Sequence, residues 1–166
     1  MTTTSKASVP VWVRIGLVAI GLPNALAGLW AVLSPEGWYD KFPGWDPRLV
    51  AAEPPFNAHL ATDAGAGLLA SGFVLLAAAW LADRRSVQLA VVAFLAFAIP
   101  HTSYHALNPA PGLTSSEDTQ SAITLAFSVA VGVVLLVGST RRHSAETVAA
   151  NRGGSSPTRG ADDHAD

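Results

Sequence analysis

The chain has 166 residues, half of them hydrophobic and 13% charged, with a formal net charge of −2. Its few basic residues form no long run, which argues against a nucleic-acid partner, and the absence of cysteine excludes disulfides, thiolate metal sites and thiol redox chemistry within the chain. Fourteen glycines and eleven prolines suit membrane helices, whose neighbours satisfy freed backbone groups, better than a soluble helical bundle.

In chain order, Met1 to Val9 reads as an N-terminal tail. A first apolar span follows from about Val11 to Leu33, with Arg14 as its one charge. Lys6, Arg14 and the small residues Ala25-Leu26-Ala27 resemble a cleavable leader, but apolar character continues to Leu33, the length of a full span. The loop from Glu36 to Pro55 contains two helix-start signals, Ser34-Pro35-Glu36 and Asp46-Pro47, and predicts two short helical turns. Its rings, Trp38, Tyr39, Phe42 and Trp45, are expected to float at the membrane interface, with capping of the bundle as the alternative. A second span covers about Phe56 to Leu81, with Asp63 its only formal charge. The third, about Ser86 to Leu107, and the fourth, about Thr119 to Gly138, contain no Lys, Arg, Asp or Glu. Runs such as Val129 to Leu136 do not alternate, so a β-barrel is excluded and an all-α four-helix transmembrane bundle over residues 10–138 is expected. Ser139 to Asp166 is polar and reads as a disordered tail.

Basic residues set the expected orientation. Lys6, Arg14, Arg84, Arg85, Arg141 and Arg142 fall on one side, whereas Lys41 and Arg48 on the other are outweighed by Glu36, Asp40, Asp46 and Glu53. Both termini are therefore predicted to be cytoplasmic, in a multi-pass protein of the cell membrane. Small residues mark expected helix contacts: Gly21, Ala25 and Gly28 in the first span, Gly67 and Ser71 in the second, with Gly65 and Gly72 nearby. Pro23 and Pro100 are expected to bend their helices, and Asn24 to bond between helices.

Polar residues inside the spans gather at the outer ends. Asn57, His59 and Asp63 begin the second span; His101, Tyr104 and His105 end the third. His59 and Asp63 are four apart and share a face, as do His101 and His105. In an antiparallel pair, His59 would lie level with His105, and Asp63 level with His101. Three imidazoles and a carboxylate converging there would suit a transition metal, zinc, copper, iron or nickel, or a proton relay. The competing reading is a hydrogen-bonded structural cluster, since the spacing His-x-x-x-His lacks the glutamate of the metalloprotease pattern. Asp118 is close enough in sequence to the fourth span's start to cap it or to reach this cluster.

The segments Ser34-Pro35-Glu36-Gly37-Trp38-Tyr39, Phe42-Pro43, Pro55-Phe56-Asn57-Ala58-His59 with Asp63-Ala64-Gly65, and Pro100-His101-Thr102-Ser103-Tyr104-His105 together resemble a family of uncharacterised small integral membrane proteins of actinobacteria. Its organisation is loosely similar to that of the four-helix DoxX-like membrane proteins. The resemblance covers about Val11 to Gly138 and implies the fold; it brings no established reaction.

Three functions follow as expectations. The first is a membrane protein with an outer-leaflet metal or redox-related site at His59, Asp63, His101 and His105, reached sideways by a lipid-like or quinone-like molecule. The second is a non-catalytic scaffold or subunit of a larger complex. The third is a small transporter subunit, which with four spans would need a homo-oligomer to build a pore.

Overall fold

A computed structural model describes the backbone of residues 9–153 and the side chains of residues 9–140. It is all-helical among the described residues: α1 (Val11–Leu33), α2 (Pro35–Lys41), α3 (Ala58–Leu81), α4 (Arg84–Leu107) and α5 (Ser115–Gly153). α1, α3, α4 and residues Ser115–Thr140 of α5 are each long and apolar enough to cross a membrane. Only 11% to 33% of their most apolar stretches is buried, so these helices do not form the interior of a soluble domain. Ile15, Phe73, Leu89 and Phe127 point large apolar side chains outward, where only hydrocarbon accommodates them in such number. The chain is a multi-pass membrane protein.

Local chemistry sets the helix boundaries. Asn57 starts α3 by accepting the Leu60 amide on its side chain at 3.1 Å, so the helix begins two residues after the expected Phe56. Asp83 does the same for α4, accepting from the amides of Arg85 and Ser86 at 3.1 Å each. Ala82, with φ of 53°, ends α3 in the left-handed region and makes the turn into α4 only two residues long. α5 starts earlier than expected, because Thr114 and Glu117 form a reciprocal cap: the Thr114 amide donates to Glu117 Oε2 at 2.9 Å, and the Glu117 amide to Thr114 Oγ1 at 3.4 Å. At its other end α5 runs on to Gly153, past the expected stop at Gly138 and into the segment expected to be a tail. The remaining tail residues and Met1 to Ser8 lie outside the described residues.

In the long loop one of two expected turns is a helix. α2 has Pro35 at its first position, Glu36 in its first turn and Lys41 in its last, although the Ser34 hydroxyl makes no capping bond. The second signal yields a single turn, closed by the Ala52 amide on the Arg48 carbonyl at 3.2 Å. Asp46 accepts from the Arg48 side chain at 2.9 Å and thus does not cap the turn.

The four spans form a ring in which α1 packs on α3, α3 on α4, α4 on α5 and α5 back on α1, with no close backbone approach across either diagonal among the described residues. The α1–α3 contact is the most extensive. It is built on two pairs of glycines, each pair seven residues apart on its helix: Gly28 meets Gly65 and Gly21 meets Gly72. A Cβ on Gly28 would strike the Leu69 amide nitrogen, and one on Gly72 the Ala25 amide nitrogen. Backbones approach this closely only where side chains are missing. Gly67, expected in the contact row, faces only Phe97 at 3.9 Å; the row runs through Gly65 and Gly72, two full turns apart.

Two apolar clusters divide the bundle along its length. At the end bearing the α3–α4 turn, Val13, Leu17, Leu75, Val87, Val91, Phe94 and Leu135 form the main core. At the opposite, loop-bearing end, Ala31, Trp38 and Ala61 pack beneath α2 with Trp30, Phe42, Val50 and Leu68 around them. α1 reaches α5 near the turn end, with Gly16 against Leu135 and Trp12 against Gly138. Arg14 serves that end too: its Nε donates to the Ala79 carbonyl at 3.0 Å, one of the acceptors left open where α3 stops.

Candidate functional site

Between the two clusters, at the loop end, lies a cavity of about 410 Å³. Every segment of the bundle contributes to it. α1 supplies Pro23, Asn24 and Ala27; α3 supplies Ala64 and Leu68; α4 supplies Phe97, His101 and His105; α5 supplies Asp118, Ser121 and Leu125. Trp38 of α2, with Phe42, Leu49, Val50 and Glu53 of the following loop, lines it from the loop side, and Ala110 and Leu113 come from the α4–α5 loop. The two loops are tied together: the Gly112 amide donates to the Ala52 carbonyl at 3.1 Å, and a Cβ on Gly112 would sit 2.7 Å from Ala52 Cα. Of the loop's four rings, Trp38 and Phe42 cap the bundle, the alternative to the interfacial expectation, while Tyr39 packs on Phe56. Trp38 is only 7% exposed, while Trp45 alone of the four is left largely in the open, at 68%.

The expected four-residue cluster divides into two pairs. His101 and His105 face the cavity together. Phe97, His101 and His105 stand one turn apart on α4, with Phe97 and His101 stacked at 5.3 Å and the two imidazoles edge to face at 4.8 Å. His59 and Asp63 pair with each other instead, Nε2 to Oδ2 at 3.4 Å, on an exposed face of α3 (side chains 82% and 63% exposed) that does not line the cavity. The reason is rotational: Gly65 and Ala61 define the buried side of α3, which turns residues 59 and 63 outward. Among the described residues no group of three His, Asp or Glu side chains is arranged to hold a metal ion.

The supporting residues also find definite places. Asn57 is a helix cap. Tyr104 is 57% exposed and contacts His105 ring to ring at 5.6 Å. Asp118 both lines the cavity and accepts the Ala110 amide at 3.0 Å, fixing the α4–α5 loop. Asn24 donates to the Ile20 carbonyl of its own helix at 2.9 Å, beside Pro23, rather than to a neighbouring helix.

One acid has no part in the expected cluster. Glu53 comes from the long loop and brings Oε1 to 3.9 Å from His105 Nδ1. That oxygen is shut off from solvent and has no hydrogen-bond partner; the same holds for Nε1 of Trp38. Thr102 Oγ1 is likewise buried without a partner, outside the cavity lining. In the sequence Glu53 is hidden among loop acids, and its only local signal is the rigid Pro54-Pro55 that follows.

A second depression, at the turn end, is lined by Arg14 and Trp80 with Val11, Ile15, Val18 and Leu76. It is a shallow groove on the outside of the α1–α3 pair and brings no opposed polar groups together. Compared with known proteins, the chain matches no family model, no curated relative and no solved structure.

Proposed function

We propose that this membrane protein binds a small, largely apolar molecule in the loop-end cavity, with the molecule's polar group set among Glu53, His101 and His105. One observation carries the reading: walls that are mainly apolar and aromatic gather Glu53, Asp118, His101 and His105 into the lining of one cavity. Such a combination of apolar lining and a few convergent polar groups is the usual form of a small-molecule site. The surplus of basic residues at the opposite end supports a cavity that faces the outside of the cell. Its ligand is drawn from the outer leaflet.

The test is retention of ligand through purification. Protein isolated in mild detergent is extracted with organic solvent, and the extract is analysed by mass spectrometry beside that of Leu125→Trp, which fills the cavity from α5. A small molecule enriched in the wild type and absent from the variant supports binding. Identical extracts from two equally folded proteins would reject it and favour a scaffold.

A further inference from the structure

The geometry points to a binding site for an anionic phospholipid on the outside of the bundle, in the groove between α1 and α3 at the turn end. Arg14 takes the lipid's phosphate and the groove takes an acyl chain. This site is separate from the loop-end cavity and stands without it.

Arg14 is the one formal charge within α1 and lies on an exposed side of that helix. Its Nε donates to the Ala79 carbonyl at 3.0 Å, which holds the guanidinium at the seam between the two helices. The N–H groups of both terminal nitrogens are left over, and no carboxylate among the described residues pairs with them. A charge at membrane depth is costly unless it meets an opposite charge or reaches the headgroup layer. A planar fork of N–H groups matches two oxygens of a phosphate.

From this head position the groove runs toward the middle of the membrane. Val11, Ile15 and Val18 of α1 form one wall, and Leu76 and Trp80 of α3 the other, around about 550 Å³. Between Val11 and Ala19 the wall covers about 12 Å of helix, most of the roughly 15 Å of hydrocarbon in one leaflet. Trp80 is 81% exposed and adjoins Ala79, the partner of Arg14, so its ring marks the headgroup boundary at the level of the guanidinium. Head and chain positions thus lie at the depths a phospholipid requires.

Charge selects the headgroup. No Asp or Glu among the described residues lines the groove, so the ammonium of a zwitterionic lipid finds no partner there. Asp83, in the adjoining turn, accepts from the Arg85 and Ser86 amides and the Ser86 hydroxyl. Arg84 and Arg85 add positive charge at the same end, and basic residues at a membrane surface attract anionic lipid.

The experiment is native mass spectrometry of the full chain in detergent doped with equal amounts of phosphatidylglycerol and phosphatidylcholine of identical chains. The wild type should retain phosphatidylglycerol roughly fivefold over phosphatidylcholine, the effect of one basic residue near the surface. Arg14→Gln removes the phosphate partner, and Val18→Trp fills the groove while leaving the Arg14–Ala79 bond in place. Each should bring the ratio below about twofold. Arg48→Gln, at the loop end, should keep the wild-type ratio. If Arg14→Gln fails to fold, Val18→Trp decides. Glycerol 3-phosphate in large excess, a head without chains, should leave the retained lipid in place. Equal retention of the two lipids by the wild type overturns the inference, as does a preference that survives in either folded variant. So does a loss in Arg48→Gln as large as in Arg14→Gln, which would mean a general charge effect. Displacement by glycerol 3-phosphate would reduce the site to a phosphate contact and overturn the role of the groove.

Discussion

His105 Nδ1 and Glu53 Oε1 face each other at 3.9 Å, beyond hydrogen-bonding distance, and join a transmembrane helix to a loop that folds back over it. The pair is an electrostatic contact without directional bonding. Its strength is therefore modest, even though both side chains are largely shielded from solvent.

A double-mutant cycle on this pair is the first expectation. His105→Ala and Glu53→Gln, singly and together, should show a coupling of about 1 kcal/mol or less. Thermal unfolding of the four proteins in one detergent measures it. A coupling above about 3 kcal/mol would mean a buried, bonded ion pair instead.

The glycines of α3 should respond in opposite directions. Gly72→Ala drives a methyl group into the Ala25 backbone and should cost about 1–3 kcal/mol, the range for overpacking. Gly67→Ala has only Phe97 at 3.9 Å before it and should be neutral or stabilising by up to about 1 kcal/mol through helix propensity. Melting temperatures that fall equally for both would contradict the glycine pairing of α1 and α3.

Asn57 and His59 offer a similar contrast two residues apart. Asn57→Ala removes the acceptor for the Leu60 amide and should cost about 1 kcal/mol. His59→Ala changes an exposed side chain whose partner Asp63 is also exposed, so stability and ligand retention should both stay at wild-type level. Loss of ligand in His59→Ala would place that histidine in the site after all.

Much of the architecture is legible in the physical periodicities of the sequence. Four apolar stretches predict four helices because span length leaves little alternative, and α1 matches its expected limits of Val11 and Leu33. Depth is legible too: spacing puts His101 and His105 on one face at one end, and that face lines the cavity. What a linear pattern does not encode is the rotation of one helix about its axis relative to another. α3 carries small residues on several sides, so nothing in its composition selects Gly65 and Gly72 over Gly67 and Ser71 as the contact row. That rotation decides whether His59 and Asp63 look inward. Glu53 and Trp38 are illegible for a related reason, because their positions depend on how a twenty-residue loop folds back, and no local rule specifies that.

The ring order of the spans also bears on how the protein is made. α1 and α3 are consecutive spans, and they share the largest contact through glycines that need nothing from the rest of the chain. This hairpin can form in the membrane while the ribosome is still translating α4. α5 emerges last and packs chiefly on α4, touching α1 more sparingly. Since α5 supplies Asp118, Ser121 and Leu125 to the cavity wall, the cavity is incomplete until α5 docks. A nascent chain thus gains its α1–α3 hairpin before its cavity.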